Sequence, residues 1–179
     1  MENIQRLYQE AIKFAAVKHK DQKFPGYDDI PYLVHVCDVA MEILAIPSHA
    51  NGFDTGYAIQ VALLHDTIED TGTSYEELAV RFGKDIADGV SALTKNENLP
   101  KERRMADSLE RIKKQRNEVW AVKLADRITN LQPPPRHWNS PKKKEYLSES
   151  VFILEKLKQA NEYLAGRLRN MIEEYEKFV

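Results

Sequence analysis

The chain has 179 residues, of which 42% are hydrophobic and 30% charged, and its formal net charge is −2. That length suits one domain with a hydrophobic core, and that composition excludes a disordered or membrane-spanning chain. The weak charge gives no reason to expect a nucleic-acid-binding surface, and the single cysteine, Cys37, excludes an intramolecular disulfide and a cysteine-based zinc site.

Apolar residues recur at helical spacing along the first half of the chain. The pattern predicts an amphipathic helix over residues 2–19, a loop over 21–30 and a second helix opened by Pro31. A turn follows at 47–55, and then a third helix over about 56–70. Ser74 and Glu77 form a capping pair that predicts a short helix ending near Gly83.

The second half continues the helical pattern without any convincing strand or internal repeat. It predicts a helix through Ile86 and Leu93, a charged helix over 101–114, and a largely buried one over 117–131 that ends before three prolines. Ser140 and Pro141 predict the start of a helix over about 141–158, and a last helix covers 161–177. We therefore expect an all-α bundle of about nine or ten helices, forming a single domain over residues 1–179.

The stretch Ala62–Thr71 concentrates chemistry directly after an apolar run. His65, Asp66, Glu69 and Asp70 fall within six positions, so on one helix they would occupy adjoining faces. Partly buried carboxylates at this spacing repel one another unless a cation balances them. A solvated acidic helix end is the plainer interpretation of this stretch taken alone.

Two further residues favour a metal site. His35 lies between valines on the second helix, where it would otherwise be a buried core histidine, and Asp126 lies inside an apolar helix. Pairing with Lys123 or Arg127 is the structural alternative for Asp126. His35, His65, Asp66 and Asp126 together make a mixed nitrogen and oxygen ligand set, which suits Mn²⁺, with Fe²⁺, Mg²⁺ or Zn²⁺ as substitutes.

These residues resemble the ligand series of the HD superfamily of metal-dependent phosphohydrolases. More narrowly, ALLHDTIEDT and KLADRITNL are similar to the hydrolase domain of the RelA/SpoT group over about residues 5–165. With no second domain in the sequence, the resemblance implies the small, Mesh1-like alarmone hydrolases, which remove the 3′-pyrophosphate from ppGpp and pppGpp using Mn²⁺. It also implies that Glu69 and Asp70 help to activate the attacking water and that Asn130 contacts the nucleotide.

The resemblance extends to substrate contacts, with departures. HKDQKFPGYDDIPYLVH is similar to the family's entrance segment and implies that Lys23, and less directly Lys20, contacts the substrate, although its loop is longer and Phe24 stands where a second basic residue is usual. Lys101 matches a phosphate-contacting position, and Lys142 and Tyr146 match pocket positions. The segment Pro133–Trp138 departs most from the family pattern.

We therefore expect a Mn²⁺-dependent 3′-pyrophosphohydrolase of guanosine alarmones whose partner is a small nucleotide rather than a nucleic acid or a membrane. Two alternatives stay open: an HD-fold phosphohydrolase acting on an adenine alarmone, NADPH or a simpler nucleotide, and a catalytically silent nucleotide-binding regulator. Without a secretory signal or a long apolar stretch, the expected location is the cytoplasm. The sequence leaves the oligomeric state open, a homo-oligomer included.

Overall fold

The computed structural model of the chain describes residues 3–47 and 52–179. In that part, ten α-helices follow one another, and the only strand-like feature is an isolated bridge between Lys23 and Pro31. The predicted all-α fold is confirmed. The helices are α1 (Ile4–Lys18), α2 (Leu33–Leu44), α3 (Thr55–Leu64), α4 (Thr67–Thr71), α5 (Tyr75–Phe82), α6 (Lys84–Leu93), α7 (Lys101–Ile112), α8 (Asn117–Asn130), α9 (Ser140–Leu157) and α10 (Glu162–Tyr175), and a 3₁₀ turn at Glu176–Phe178 follows.

Two helices form the centre of the bundle. Helix α3 is buried from Gly56 to Leu64, because α1, α2, α6 and α8 pack around it. Helix α8 packs against α2, α3, α9 and α10 and is buried over most of its length. Unlike α3, however, α8 buries four charged side chains, namely Glu118, Lys123, Asp126 and Arg127. Buried charges need partners, so α8 is where a polar site is expected within this core.

The prediction of one helix over 56–70 is wrong, because the chain turns between α3 and α4. Asp66 has φ −99° and ψ 0°, outside the helical region. The Thr67 hydroxyl donates to the Leu64 carbonyl at 2.7 Å, and that carbonyl is the acceptor that a continuous helix would offer to the Ile68 N–H. His65 and Asp66 therefore lie at a corner between two helices.

Two predicted helix starts also need correction. Pro31 does not open α2: it pairs with Lys23 in the isolated bridge, and the helix begins at Leu33. For α9, the side chain that caps the helix is Asn139, which accepts from the Lys142 N–H at 3.0 Å, so Ser140 is the first helical residue rather than the cap. In both places the chain enters the helix one or two residues away from the expected position.

The cap of α5 agrees with its prediction in part. The Ser74 hydroxyl accepts from the Glu77 N–H at 3.1 Å, as expected, but the Glu77 carboxylate binds the Lys18 ammonium at 2.8 Å. That ion pair ties α5 to the end of α1. Of the predicted turn at 47–55, residues 48–51 lie outside the described residues. Within the described ranges, no helix has the length and apolar character that a membrane span requires.

Candidate metal centre and substrate cavity

Four side chains meet where α2, the α3–α4 corner and α8 come together. The ligand atoms of His35, His65 and Asp126 lie within 4.8 Å of one another. The Oδ2 atom of Asp66 is 2.9 Å from the Nε2 atom of His65 and 3.7 Å from the Nε2 atom of His35. The structure therefore brings together the four residues that the sequence suggests as metal ligands.

Both imidazoles present Nε2 to this cluster. The Nδ1 atom of His65 lies 2.7 Å from the Ala62 carbonyl oxygen, and the Nδ1 atom of His35 lies 3.5 Å from the Thr129 hydroxyl. A proton on Nδ1 of His65 leaves the lone pair on Nε2. This Nε2 is buried without a hydrogen-bond partner in the described part of the chain, and the Asp66 carboxylate lies 2.9 Å from it. A cation in the cluster would satisfy it.

Asp126 divides its two oxygens between the cluster and its own helix. Its Oδ1 atom is 3.5 Å from the Nε2 atom of His35 and 3.8 Å from that of His65, and it accepts from the Asn130 amide at 2.5 Å. Its Oδ2 atom accepts from the Lys123 ammonium at 2.9 Å. The salt bridge to Lys123 is thus present, but it holds the carboxylate in the cluster and does not replace the metal-site interpretation.

The charges of the cluster shift the pKa values of its members. Burial alone would lower the pKa of His65, but the carboxylates of Asp66 and Asp126 outweigh burial and raise it to about 9. Burial likewise opposes ionisation of both carboxylates, yet their pKa values lie below the usual range. His65 stabilises the charge of Asp66, and Lys123 stabilises that of Asp126. A proton on His65 therefore supplies the positive charge that a divalent cation would supply instead.

Glu69 and Asp70 lie on α4, after the corner, and the Asp70 N–H donates to the Asp66 carbonyl at 2.9 Å. Both oxygens of Glu69 accept from Lys95, at 2.8 Å from its backbone N–H and 2.7 Å from its ammonium. One oxygen of Asp70 accepts from the Gln22 amide at 2.9 Å. Burial is the main cause that raises the pKa of Asp70, and the Gln22 hydrogen bond opposes it. The two carboxylates therefore have different environments.

A cavity of about 540 Å³ lies beside the cluster. Its lining is largely aromatic and proline side chains. The loop after α1 contributes Phe24, Pro25 and Tyr27, and the segment after α8 contributes Pro133, Pro134, Pro135 and Trp138. Tyr146 of α9 and Tyr175 of α10 complete this part of the lining. Thr129 and Asn130 also line it and contact His35 and Asp126 respectively. Among the described lining residues only Asp38 is charged. This volume and chemistry suit a neutral, stackable group such as a nucleoside.

Tyr146 contacts several neighbours around this cavity. Its ring lies edge to face against Trp138, with centroids 5.1 Å apart, and the Arg127 guanidinium lies 4.4 Å from its centroid. Its hydroxyl donates to the Asn130 carbonyl at 3.4 Å. Burial raises the pKa of Tyr146 to about 12, so this hydroxyl keeps its proton at neutral pH. The segment Pro133–Trp138, which departs from the family pattern, thus forms part of the cavity wall.

The lysines expected to contact the substrate lie around the cavity and do not line it. Lys23 is exposed on the loop beside Phe24. Lys101, at the start of α7, is 3.9 Å from Glu145, and Lys142, near the start of α9, is 2.9 Å from the same carboxylate. The structure therefore brings Lys101 and Lys142 together around Glu145, whereas Lys23 lies on the loop after α1.

Sequence reasoning missed two residues that contact the candidate site. Lys95 follows α6 and binds both oxygens of Glu69. Tyr32 donates from its hydroxyl to Asp66 Oδ2, and its ring lies 5.0 Å from that of His19. A tyrosine three residues before a candidate histidine ligand was a usable signal for Tyr32, whereas nothing local in the sequence marks Lys95.

Comparisons with known proteins show what the chain is similar to. A family model described as HD domain matches residues 11–162. Similar relatives include the proteins named guanosine-3′,5′-bis(diphosphate) 3′-pyrophosphohydrolase MESH1 of Xenopus tropicalis and of Homo sapiens. The first is 35% identical over 166 residues and covers 90% of both chains, and the second is 31% identical over 169 residues and covers 92% of both.

Solved structures show the same architecture. One, described as a metazoan ortholog of SpoT that hydrolyses ppGpp, superposes with a TM-score of 0.82 at 26% sequence identity and covers 97% of both chains. A protein from Listeria monocytogenes EGD-e superposes with a TM-score of 0.64 at 21% identity, covering 83% of this chain and 98% of its own. The second match concerns the fold alone.

Proposed function

The chain belongs to the HD domain family, and from that membership we propose that it is a metal-dependent 3′-pyrophosphohydrolase of guanosine alarmones. Its reaction would be hydrolysis of ppGpp or pppGpp to pyrophosphate and GDP or GTP. The observation that carries the proposal is a cluster of two imidazoles and two carboxylates beside a nucleoside-sized cavity. The activity named for the MESH1 relatives, which match this chain over nine-tenths of its length, supports the substrate.

The metal in this proposal is one divalent cation held by His35, His65, Asp66 and Asp126. The buried, unpartnered Nε2 atom of His65 and the two ionised carboxylates fit such an ion. A mixed nitrogen and oxygen set favours Mn²⁺, with Fe²⁺, Mg²⁺ and Zn²⁺ as alternatives. When bound, the ion supplies Lewis acidity and lowers the pKa of a bound water from about 16 towards 7.

The protein's own carboxylates beside the cluster are proposed to handle the proton of the attacking water. Asp70 has one oxygen without a hydrogen-bond or ion-pair partner among the described residues, and that oxygen is available to orient the water or take its proton. Glu69 is proposed to act at the same place while its two bonds to Lys95 keep an ammonium next to it. The water oxygen attacks the phosphorus attached to the ribose 3′ oxygen, and the 3′ oxygen leaves with a proton.

Substrate binding is divided between the cavity and its rim. The nucleoside is proposed to lie in the cavity, with Tyr146 and Asn130 positioning it. The polyphosphate groups would lie outside the cavity, because Asp38 is its one charged lining residue among those described and would repel them. Lys23 on the loop and Lys101 and Lys142 around Glu145 are the cations proposed to neutralise them.

A substrate panel tests the proposal. Purified protein with Mn²⁺ is given ppGpp, pppGpp, an adenine alarmone, NADPH and GTP, and released pyrophosphate is measured separately from orthophosphate. We expect pyrophosphate from ppGpp and pppGpp and none after chelation. Cleavage of NADPH or GTP with ppGpp left intact would reject the alarmone assignment, and binding of ppGpp without turnover of any substrate would support a silent regulator. Replacing Mn²⁺ in turn by Fe²⁺, Mg²⁺ and Zn²⁺ tests the identity of the ion.

A further inference from the structure

The segment that follows α1 carries a histidine and a glutamine whose side chains are linked to the candidate site. His19 is only 2% exposed, although it stands at the end of a surface helix. Its Nδ1 atom lies 2.6 Å from the Gln22 side-chain oxygen Oε1, and the Gln22 side-chain nitrogen Nε2 donates to Asp70 Oδ2 at 2.9 Å. Three side chains thus form one continuous hydrogen-bonded chain that ends on Asp70.

The hydrogen bonds from His19 through Gln22 to Asp70 allow a single arrangement of donors and acceptors. An ionised carboxylate only accepts, so Gln22 must turn its NH₂ group to Asp70 and its oxygen to His19. His19 must then carry a proton on Nδ1, and its Nε2 atom is buried with no partner among the described residues. Burial lowers the pKa of His19, which favours the neutral ring. The two hydrogen-bond partners therefore determine the orientation of the Gln22 amide.

Backbone hydrogen bonds hold His19 and Gln22 in place. The His19 N–H donates to the Ala15 carbonyl at 2.8 Å, and the Gln22 N–H donates to the His19 carbonyl at 3.0 Å. The Tyr32 N–H donates to the Gln22 carbonyl at 3.0 Å, and the Tyr32 ring packs against that of His19. Gln22 is therefore fixed by its backbone on both sides, as a group that orients another side chain needs to be.

We infer that His19 and Gln22 are positioning residues for the hydrolytic reaction: they hold Oδ2 of Asp70 so that its other oxygen faces the attacking water. The inference rests on the proposed function. The two neighbouring carboxylates are held by different residues. Lys95 binds both oxygens of Glu69, whereas Gln22 binds only one oxygen of Asp70. The competing explanation is that these hydrogen bonds only attach the loop after α1 to α4 and have no role in the reaction.

A double-mutant cycle separates positioning from a structural tie. Gln22→Ala should lower kcat about 10- to 100-fold, the usual effect of removing a group that orients an active-site ligand, while KM and metal content stay within about twofold. In an Asp70→Asn background, the same substitution should have no further effect on kcat. A kcat unchanged by Gln22→Ala, an equal loss in the Asp70→Asn background, or loss of bound metal would each overturn the inference.

Conservative variants of His19 sharpen the test. Asn carries an NH₂ group near the position of the histidine Nδ1–H, so His19→Asn should keep most of the kcat that His19→Ala loses. The loss in His19→Ala should disappear when Gln22 is already alanine. Equal kcat values in His19→Asn and His19→Ala would contradict a role that runs through the Nδ1 proton.

Two further measurements test the positioning role of His19 and Gln22 separately from the assignment of ppGpp as the substrate. The kinetic cycle is repeated with bis(p-nitrophenyl) phosphate, a chromogenic phosphodiester that requires no alarmone recognition. Independently of any turnover, ¹⁵N nuclear magnetic resonance of the His19 ring should show a protonated Nδ1 and an unprotonated Nε2 in the wild type. An Nε2–H tautomer would overturn the inference whatever the substrate, whereas the Nδ1–H tautomer with no ppGpp cleavage would leave it standing and reject the alarmone.

Discussion

Asp126 shows how single residues make the metal site possible. A carboxylate buried in an apolar helix is costly unless it is paired, and here Lys123 and Asn130, both within one turn of the same helix, bind it. These contacts leave Oδ1 facing His35 and His65. The protein's own side chains therefore keep the carboxylate ionised and oriented, which lowers the cost of organising the site when a cation binds.

The first prediction concerns the ligands. Asp66→Asn and Asp126→Ala each remove a negative charge from a cluster balanced around a dication, so we expect both variants to lose bound Mn²⁺ and hydrolysis together. Asp38→Asn is the matched control, because it removes a carboxylate that lines the cavity outside the cluster. Elemental analysis of the purified proteins measures the result. Wild-type metal content in either cluster variant would show that the ligand set is wrong.

The second prediction separates catalysis from metal binding. Glu69→Gln and Asp70→Asn should keep the metal and most of the affinity for ppGpp, but they should lose turnover by about 10²–10⁴-fold, the usual contribution of a general base. Metal content, equilibrium binding of ppGpp and kcat are measured on the same preparations. Near-wild-type kcat in both variants would exclude the pair from water activation, and loss of metal in both would make them ligands.

The third prediction is a pH dependence of stability due to His19. Burial lowers its pKa below the ordinary value of 6.5, although the Gln22 hydrogen bond opposes this. The unfolded chain therefore takes up a proton before the folded one as the pH falls, so stability is complete above about pH 6.5 and decreases below it. Compared with His19→Asn, the wild type should lose up to about 1.4 kcal/mol of unfolding free energy per pH unit in that range. Urea unfolding at pH 7.5, 6 and 5 measures the difference, which a pH-independent offset would contradict.

The sequence reveals a site residue when the pattern that marks it lies within a few neighbouring positions. His65 and Asp66 stand next to each other, and Asp126 interrupts an apolar helix, so both signals are visible within a few positions. Lys95 is 26 positions from Glu69, and its contact depends on how α6 packs against α4. No period or motif in the chain encodes that packing, so Lys95 could be found only from the structure.

At the scale of elements, the α3–α4 corner is the feature that places the site. After the corner, α4 places Glu69 next to Lys95 and Asp70 next to Gln22. Helical periodicity predicted the two segments but not the break, because Asp66 and Thr67 are compatible with a helix interior and only their tertiary setting decides otherwise.

Two glycines inside helices provide the fourth prediction. A Cβ at Gly89 of α6 would lie 2.7 Å from the Tyr57 hydroxyl and 3.1 Å from a Val119 methyl, whereas a Cβ at Gly166 of α10 meets nothing within 4 Å. Gly89→Ala should therefore destabilise the fold by about 1–3 kcal/mol, since it displaces the hydroxyl that donates to the Asp85 carbonyl. Gly166→Ala should stabilise it by about 0.5–1 kcal/mol through helix propensity.

Urea unfolding of the two glycine variants at constant m-value provides the measurement. The pair is matched, because the substitution is the same and both positions are helical, so only the surroundings of the new methyl group differ. Effects of the same sign at both positions would show that the packing of α6 against α3 and α8 is looser than the structure indicates.

At the scale of the whole molecule, the metal site lies where distant parts of the chain meet. Residues 35, 65–66 and 126 come from α2, the α3–α4 corner and α8, and these elements pack against one another in one hydrophobic cluster. The all-α class followed from patterning, but the neighbours of each helix did not, because similar apolar stripes can pair in several ways. The order of the ligand residues was the only sequence signal that joined these three elements.

This arrangement gives the last prediction, that bound metal stabilises the entire fold. An ion that binds the folded chain and not the unfolded one adds about 2.7 kcal/mol when its free concentration is a hundred times Kd. For a chain of this size that corresponds to a rise in Tm of roughly 5–10 °C. We therefore expect chelation to lower the Tm of the wild type by that amount and added Mn²⁺ to restore it.

Asp126→Ala should unfold at the same temperature with or without the chelator, and Asp38→Asn should respond like the wild type. Differential scanning calorimetry at fixed protein concentration measures the Tm of the wild type and of both variants, each with and without the chelator. A chelator-induced shift of equal size in Asp126→Ala would mean that the ion binds elsewhere in the molecule.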